Sequence, residues 1–181
     1  MRNPFNLFKY LPHYLRKKFK EKYIVIESDD WGQERSINSD SVKWMETKYG
    51  KDKLSRWSYD SLETPEDLSE LFHTLKKYSS KFEFPPVITS NFITHNIDYS
   101  VKDKPGFIPI SKGFNTESNA LRKLYREGIE SKIIFPQLHG FSHYNLTSLE
   151  KYFYTDEGKE SFENGFFTAK STVRGNLSFL Q

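Results

Sequence analysis

The chain contains no cysteine, which excludes a disulfide framework and any thiolate metal site. No stretch is long and apolar enough to read as a membrane-spanning helix, which needs about 18 or more apolar residues. The opening residues, MRNPFNLFKYLPHYLRKKFKEK, lack the continuous apolar stretch and the small-residue cleavage site of a secretory signal. Together these absences lead us to expect a cytoplasmic protein. No glycine-rich phosphate loop, internal repeat or low-complexity tract is present. Charge of one sign is also missing: 27 Lys and Arg stand against 24 Asp and Glu, a net +3. The charge is unevenly spread, because residues 1–22 hold seven Lys/Arg and one Glu, which leaves the remainder acidic. A basic arm with interleaved aromatics can lie on an anionic membrane or on nucleic acid. The acidic remainder offers no basic face for a polyanion, so we expect no nucleic-acid partner and a solvated lead-in over residues 1–22. Peripheral membrane contact through this arm is the minor reading.

What is there suits one globular domain. The 181 residues are 36% hydrophobic and 28% charged. Three apolar runs read as strands: residues 23–28, 86–93 (PVITSNFI) and 132–138 (KIIFPQL), the last with Pro136 marking an irregular finish. Helical patterns lie between them. TPEDLSELFHTLKKYSSKF opens with Thr64 as cap, Pro65 at the first turn and Asp67 three residues on. TESNALRKLYREG suggests Thr116 as cap and Gly128 as terminator, and TSLEKYF suggests a helix capped by Thr147. Strand alternating with helix is the pattern of a parallel sheet with crossover helices. Residues 32–62 and 94–115 read as long polar insertions after the first and second strands, at the end of the sheet where α/β folds place their chemistry.

The candidate chemistry collects there. YIVIESDDWG crowds Glu27, Asp29 and Asp30 at the end of the first strand, and QLHGFSHYN places His139 and His143 at the end of the third. Crowded carboxylates repel unless a positive charge sits among them. One Asp and two imidazoles make a three-ligand site with open positions, the pattern of a catalytic divalent metal. HGFSH lacks the Glu of the helical zinc-protease motif, which removes that class. Trp31, beside the acids, reads more readily as a plug at the end of the fold than as a surface for stacking on a sugar ring, its other candidate role. Asn91 reads as a substrate-facing or strand-end residue, His95 as part of a solvated loop, and His73 as a helix-boundary residue.

SDDWG closing one strand and HGFSH closing another resemble the first two motifs of the polysaccharide deacetylases, carbohydrate esterase family four. The resemblance covers residues 22 to 146. It implies a partial, distorted (β/α) barrel of parallel strands and crossover helices over residues 23–181, of which this chain offers the front portion. It also implies Asp29 as catalytic base, and Asp30, His139 and His143 as ligands of one divalent ion, with zinc expected. The implied activity removes acetyl groups from an N- or O-acetylated oligo- or polysaccharide through metal-activated water. Glu27-Ser28 and Gly140 differ from the family's usual residues. The later Arg-Pro, Asp-Trp and Leu-x-His stretches, the last supplying the general acid, are not found after residue 146. A barrel arc without its closing units is expected to self-associate along its open edge. The alternative reading is a non-catalytic carbohydrate-binding or assembly domain with the same fold.

Overall fold

The computed structural model describes residues 22–54, 56–116, 119–144 and 146–166. The N-terminal arm, Lys22 apart, and the stretch after Phe166 lie outside the described residues. Three strands form a parallel sheet: β1 (Ile26–Trp31), β2 (Ile88–Ile93) and β5 (Ile134–Gly140), in the order β1-β2-β5. A second, antiparallel pair joins β3 (His95–Ile97) to β4 (Phe107–Pro109). The helices are α1 (Ser39–Tyr49), α2 (Pro65–Ser79), α3 (Ala120–Glu130), α4 (Leu146–Phe153) and α5 (Asp156–Glu163). The molecule is thus a mixed α/β structure around a parallel sheet, and the described strands do not close into a barrel. No helix among the described residues is long and apolar enough to cross a membrane.

Local chemistry explains the helix starts. In α2 the Thr64 hydroxyl accepts from the Asp67 amide at 3.1 Å while Asp67 accepts from the Thr64 amide at 2.9 Å, a reciprocal capping box with Pro65 behind it. These bonds hold the Asp67 carboxyl below its ordinary range. The expected cap at Thr116 is not used: α3 begins at Ala120 after Asn119, and the Thr116 hydroxyl turns to Glu34 instead. Gly128 does not end α3 either. It lies inside the helix, where a Cβ would come within 2.5 Å of Phe72 and 2.7 Å of Ile134, so its role is close packing of α3 on α2 and β5. Thr147 lies within α4, not ahead of it. The two long insertions carry structure of their own. The first contains α1, whose Asn38 cap accepts from the Asp40 and Ser41 amides, and the second contains the β3–β4 hairpin.

The main core lies between one face of the sheet and helices α2 and α3. Leu68, Phe72, Leu121, Tyr125, Ile88 and Ile134 fill it, at about 2 kcal/mol for each fully buried large side chain. Ile97, Leu149, Phe153 and Phe162 form a second cluster under α4 and α5. The first strand differs from expectation. It begins at Ile26, and Tyr23, Ile24 and Val25 precede it with 60%, 89% and 80% of their surface exposed. On the sheet face opposite the helices, in register, lie Glu27, Thr89 and Phe135, then Asn91 and Gln137.

Candidate metal centre

Parallel pairing sets the ends of β1 and β5 on either side of β2, and both ligand-bearing strands break register there. Ser28 pairs with Ser90 and Trp31 with Phe92, so three steps on β1 span two on β2. Phe92 pairs with Leu138 and Ile93 with Gly140, so β5 holds one extra residue at His139. Each is a one-residue bulge, a device that re-aims a side chain. Without it, Asp29 and Asp30 would point to opposite faces. Asp30 sits at φ 66°, in the left-handed region that Asp tolerates better than most residues. Gly32 follows at φ 77°, and the Gln33 amide closes the turn on the Asp30 carbonyl at 3.2 Å. Both Glu63 carboxylate oxygens accept from the Gly32 amide at 3.3 Å, and the Tyr125 hydroxyl donates to Glu63 at 2.8 Å.

The result is convergence. His143 Nε2 lies 2.8 Å and His139 Nε2 3.3 Å from Asp30 Oδ1, and the three donor atoms lie within 4.8 Å of one another. Around a tetrahedral ion with bonds of about 2.0–2.2 Å, ligand atoms stand about 3.3–3.6 Å apart. Small side-chain shifts would therefore seat such an ion. Asp30 Oδ1 is buried and receives no aligned hydrogen bond, despite both imidazoles beside it. A cation held between the three side chains would supply the partner that this oxygen lacks. The side chains remain 32% (Asp30), 36% (His139) and 22% (His143) exposed, which leaves one face of the cluster open to solvent. Burial, with the charges of Arg35 and His139, outweighs Asp30 and Asp60 and holds His143 below the ordinary imidazole value of 6.5. A neutral imidazole is the form that binds metal.

The other expected residues divide. Asp29 is exposed and does not join the converging trio; Asn91 Nδ2 donates to it at 2.6 Å and to Glu27 at 3.0 Å. Trp31 is 6% exposed and packs against Phe92 and Tyr125, so it is a core residue with no ring face free for a sugar. His95 is not in a solvated loop: it opens β3, half-buried, with its ring stacked on Phe141. Sequence reasoning passed over Arg35 and Asp60. Arg35 is 5% exposed and lies 3.7 Å from Asp60, whose carboxyl is raised chiefly by burial, with Arg35 opposing and Asp30 adding to the rise. No periodicity marks these two, because both lie in irregular chain.

Glu34 shows how the loops are held. It is 1% exposed and accepts from the Asn115 amide at 2.9 and 3.0 Å, from Asn115 Nδ2 at 2.7 Å and from the Thr116 hydroxyl at 3.2 Å. Asn96 in turn accepts from the Glu34 amide at 2.8 Å and donates to the Gly32 carbonyl at 2.7 Å. The turn carrying Asp30 is thereby bonded to the second insertion. No protein-family model, no curated protein and no solved structure matches this chain.

Proposed function

We propose that this chain is a metal-dependent hydrolase that removes acetyl groups from an N- or O-acetylated oligo- or polysaccharide. The observation that carries the reading is the convergence of Asp30 Oδ1 with His139 and His143 Nε2 at the open end of a parallel sheet. In this reading β1, β2 and β5 are an arc of a distorted (β/α) barrel, and the face bearing Asn91 and Gln137 is its interior. Asp30, His139 and His143 would hold one divalent ion, with zinc favoured by two nitrogens and one oxygen. Such an ion polarises an acyl carbonyl and eases deprotonation of water.

The chain's own residues do the rest. Asp29, hydrogen-bonded by Asn91, accepts the proton of the attacking water. The bulge on β1 lets this carboxylate and the ligand Asp30 sit side by side without sharing one role. His143, kept neutral by burial, offers a lone pair without first losing a proton. The solvent-open side of the trio admits a polymer substituent, whereas a small-molecule enzyme would enclose its substrate.

The test is acetate release. The chain, incubated with zinc, is expected to liberate acetate from an acetylated oligosaccharide and to lose that activity on chelation. Retention of the sugar without acetate release would instead mark a carbohydrate-binding domain. Failure to bind zinc at all would overturn both the site and the reaction.

A further inference from the structure

Hydrolysis of an amide or alkyl ester needs a proton for the departing nitrogen or oxygen; the three converging ligands would hold the ion and Asp29 takes the proton of water, so a dedicated donor is still to be assigned. We infer that His95 is that proton donor, an inference that rests on the hydrolase reading above. The argument begins with topology. His95 lies two residues past the end of β2, the central strand, and so between the strand ends that carry Asp30 and His139. Its amide donates to the Phe141 carbonyl at 2.8 Å, and the Thr94 amide to the Gly140 carbonyl at 3.0 Å. These bonds fix His95 against the loop whose two ends are His139 and His143.

The imidazole is oriented on two sides. Its ring stacks on Phe141 at 4.0 Å and 18° between planes, and Phe107 meets Phe141 edge-on at 5.3 Å. Its Nδ1 lies 2.9 Å from the Thr94 hydroxyl, which is itself 3.3 Å from the Gly140 carbonyl and 3.4 Å from that of Phe141. One arrangement satisfies all three groups: Nδ1–H donates to the Thr94 oxygen, and the hydroxyl proton goes to a carbonyl. That leaves Nε2, which has no hydrogen-bond partner among the described residues, as the nitrogen that gains and loses a proton. A ring with one nitrogen tied and the other free is the form in which His serves as acid or base.

The step balances. When the tetrahedral adduct collapses, the carbonyl re-forms and the bond from carbon to the leaving nitrogen or oxygen breaks. Its electron pair stays on the leaving atom, which takes the proton from His95 Nε2. Asp29 has meanwhile received one proton from water, and exchange with solvent restores both side chains. The net reaction is water plus acetylated sugar giving acetate and the free amine or alcohol.

The experiment varies the leaving group, using the full chain loaded with zinc. His95→Gln is compared with the unmodified protein on an acetylated oligosaccharide and on 4-nitrophenyl acetate, whose leaving group departs without a proton. The expected result is a loss of about 100-fold or more on the sugar and less than about threefold on the aryl ester. Zinc affinity, read by competition with a chromogenic chelator, stays unchanged and reports that the variant is folded. Thr94→Val, which removes the bond at Nδ1, shows the same selectivity in weaker form. Equal losses on the two substrates, no loss on the sugar, or weakened zinc binding in His95→Gln would overturn the assignment and leave His95 a support for the loop. An unmodified chain that binds zinc yet hydrolyses neither substrate would overturn the hydrolase reading itself, and the role of His95 with it.

Discussion

The turns that carry the three candidate ligands and the outer strand β5 are close neighbours in space, and His139 belongs to both. Beside the ligands, two groups are bonded several times over: Glu34 accepts from three donors, and Gly32 is held through both its amide and its carbonyl. Along β5 the arrangement reverses. Only Ile134 is buried, while Phe135 is 57% and Leu138 73% exposed, and the far edge has no partner strand among the described residues. A groove of about 1070 Å³ runs between α3 and β5, lined in part by Phe92, Ile129 and Leu138, and it does not include the ligand trio. The difference shows where the sequence commits its specificity. Directional bonds fix the site, and loosely covered apolar surface borders it. Disturbing the first region should be costly, and disturbing the second nearly free.

The strongest test of that contrast is Glu34→Ala. Removing the buried carboxylate leaves the Asn115 amide and one hydrogen of Asn115 Nδ2 without an acceptor, while Nδ2 keeps its bond to the Ile97 carbonyl, and the expected loss is about 2 kcal/mol by denaturant unfolding. A loss below about 0.5 kcal/mol, the level of an ordinary surface change, would show that water replaces the network and that the rim is not specially fixed.

The next test separates the two acids. Asn tolerates the left-handed conformation as Asp does, so Asp30→Asn removes charge without disturbing φ 66°. It is expected to weaken zinc binding by more than about 100-fold, beyond the range typical of residues behind a metal ligand. Asp29→Asn should leave zinc binding within about threefold while acetate release falls by about 100-fold or more. Isothermal titration with zinc and an acetate assay read the two effects. If Asp29→Asn loses the metal and Asp30→Asn keeps it, the two roles are reversed.

The parts of the molecule that sequence made legible are those ruled by local or periodic chemistry. Thr64, Pro65 and Asp67 specify their capping box within four positions, and Leu68, Phe72 and Leu75 face inward at helical spacing. The ligand trio was legible too, because two short clusters at strand ends are brought together by any parallel sheet. The bulges were not. A one-residue register break depends on the partner strand, and only Pro136 hinted at irregularity. Trp31 follows from the same bulge: the break that turns Asp30 outward turns the next residue into the core, the more readily expected of its two roles. Glu34 could not be found, since its partners lie 81 and 82 positions away. His95 reads as a loop residue until β3 is seen to pair with β4.

A smaller effect comes from pH and tests the support under the Gly32 turn. Burial is the main cause that raises the Glu63 carboxyl above its ordinary value of 4.5, against the lowering effect of its hydrogen bonds. The charged form therefore costs the folded state more than the unfolded one. That cost is fully present above the folded pKa, shrinks as pH falls through it, and is gone below 4.5. The unmodified protein is thus expected to gain stability relative to Glu63→Gln as pH falls from 7 toward 5, measured by thermal unfolding with no metal added. The opposite slope would mean that the bonds from Gly32 and Tyr125 outweigh burial.

The smallest effect on stability is expected on β5, and here the useful measurement is association. Phe135 and Leu138 already stand largely in water, so Phe135→Lys and Leu138→Lys should each change unfolding stability by no more than about 0.5 kcal/mol. An uncovered strand edge flanked by such side chains is a template for pairing with another strand, and lysine is a residue that natural edges use to prevent it. The unmodified chain should therefore sediment as a mixture whose average mass rises with concentration, and the doubly substituted chain as a monomer across the same range. Zinc affinity should be the same in both, because neither side chain supplies a ligand atom. A sharp, concentration-independent monomer in the unmodified protein would show that this edge is covered in solution. A large loss of stability in the lysine variants would show that β5 is as tightly specified as the rim, and the contrast between the two regions would fail.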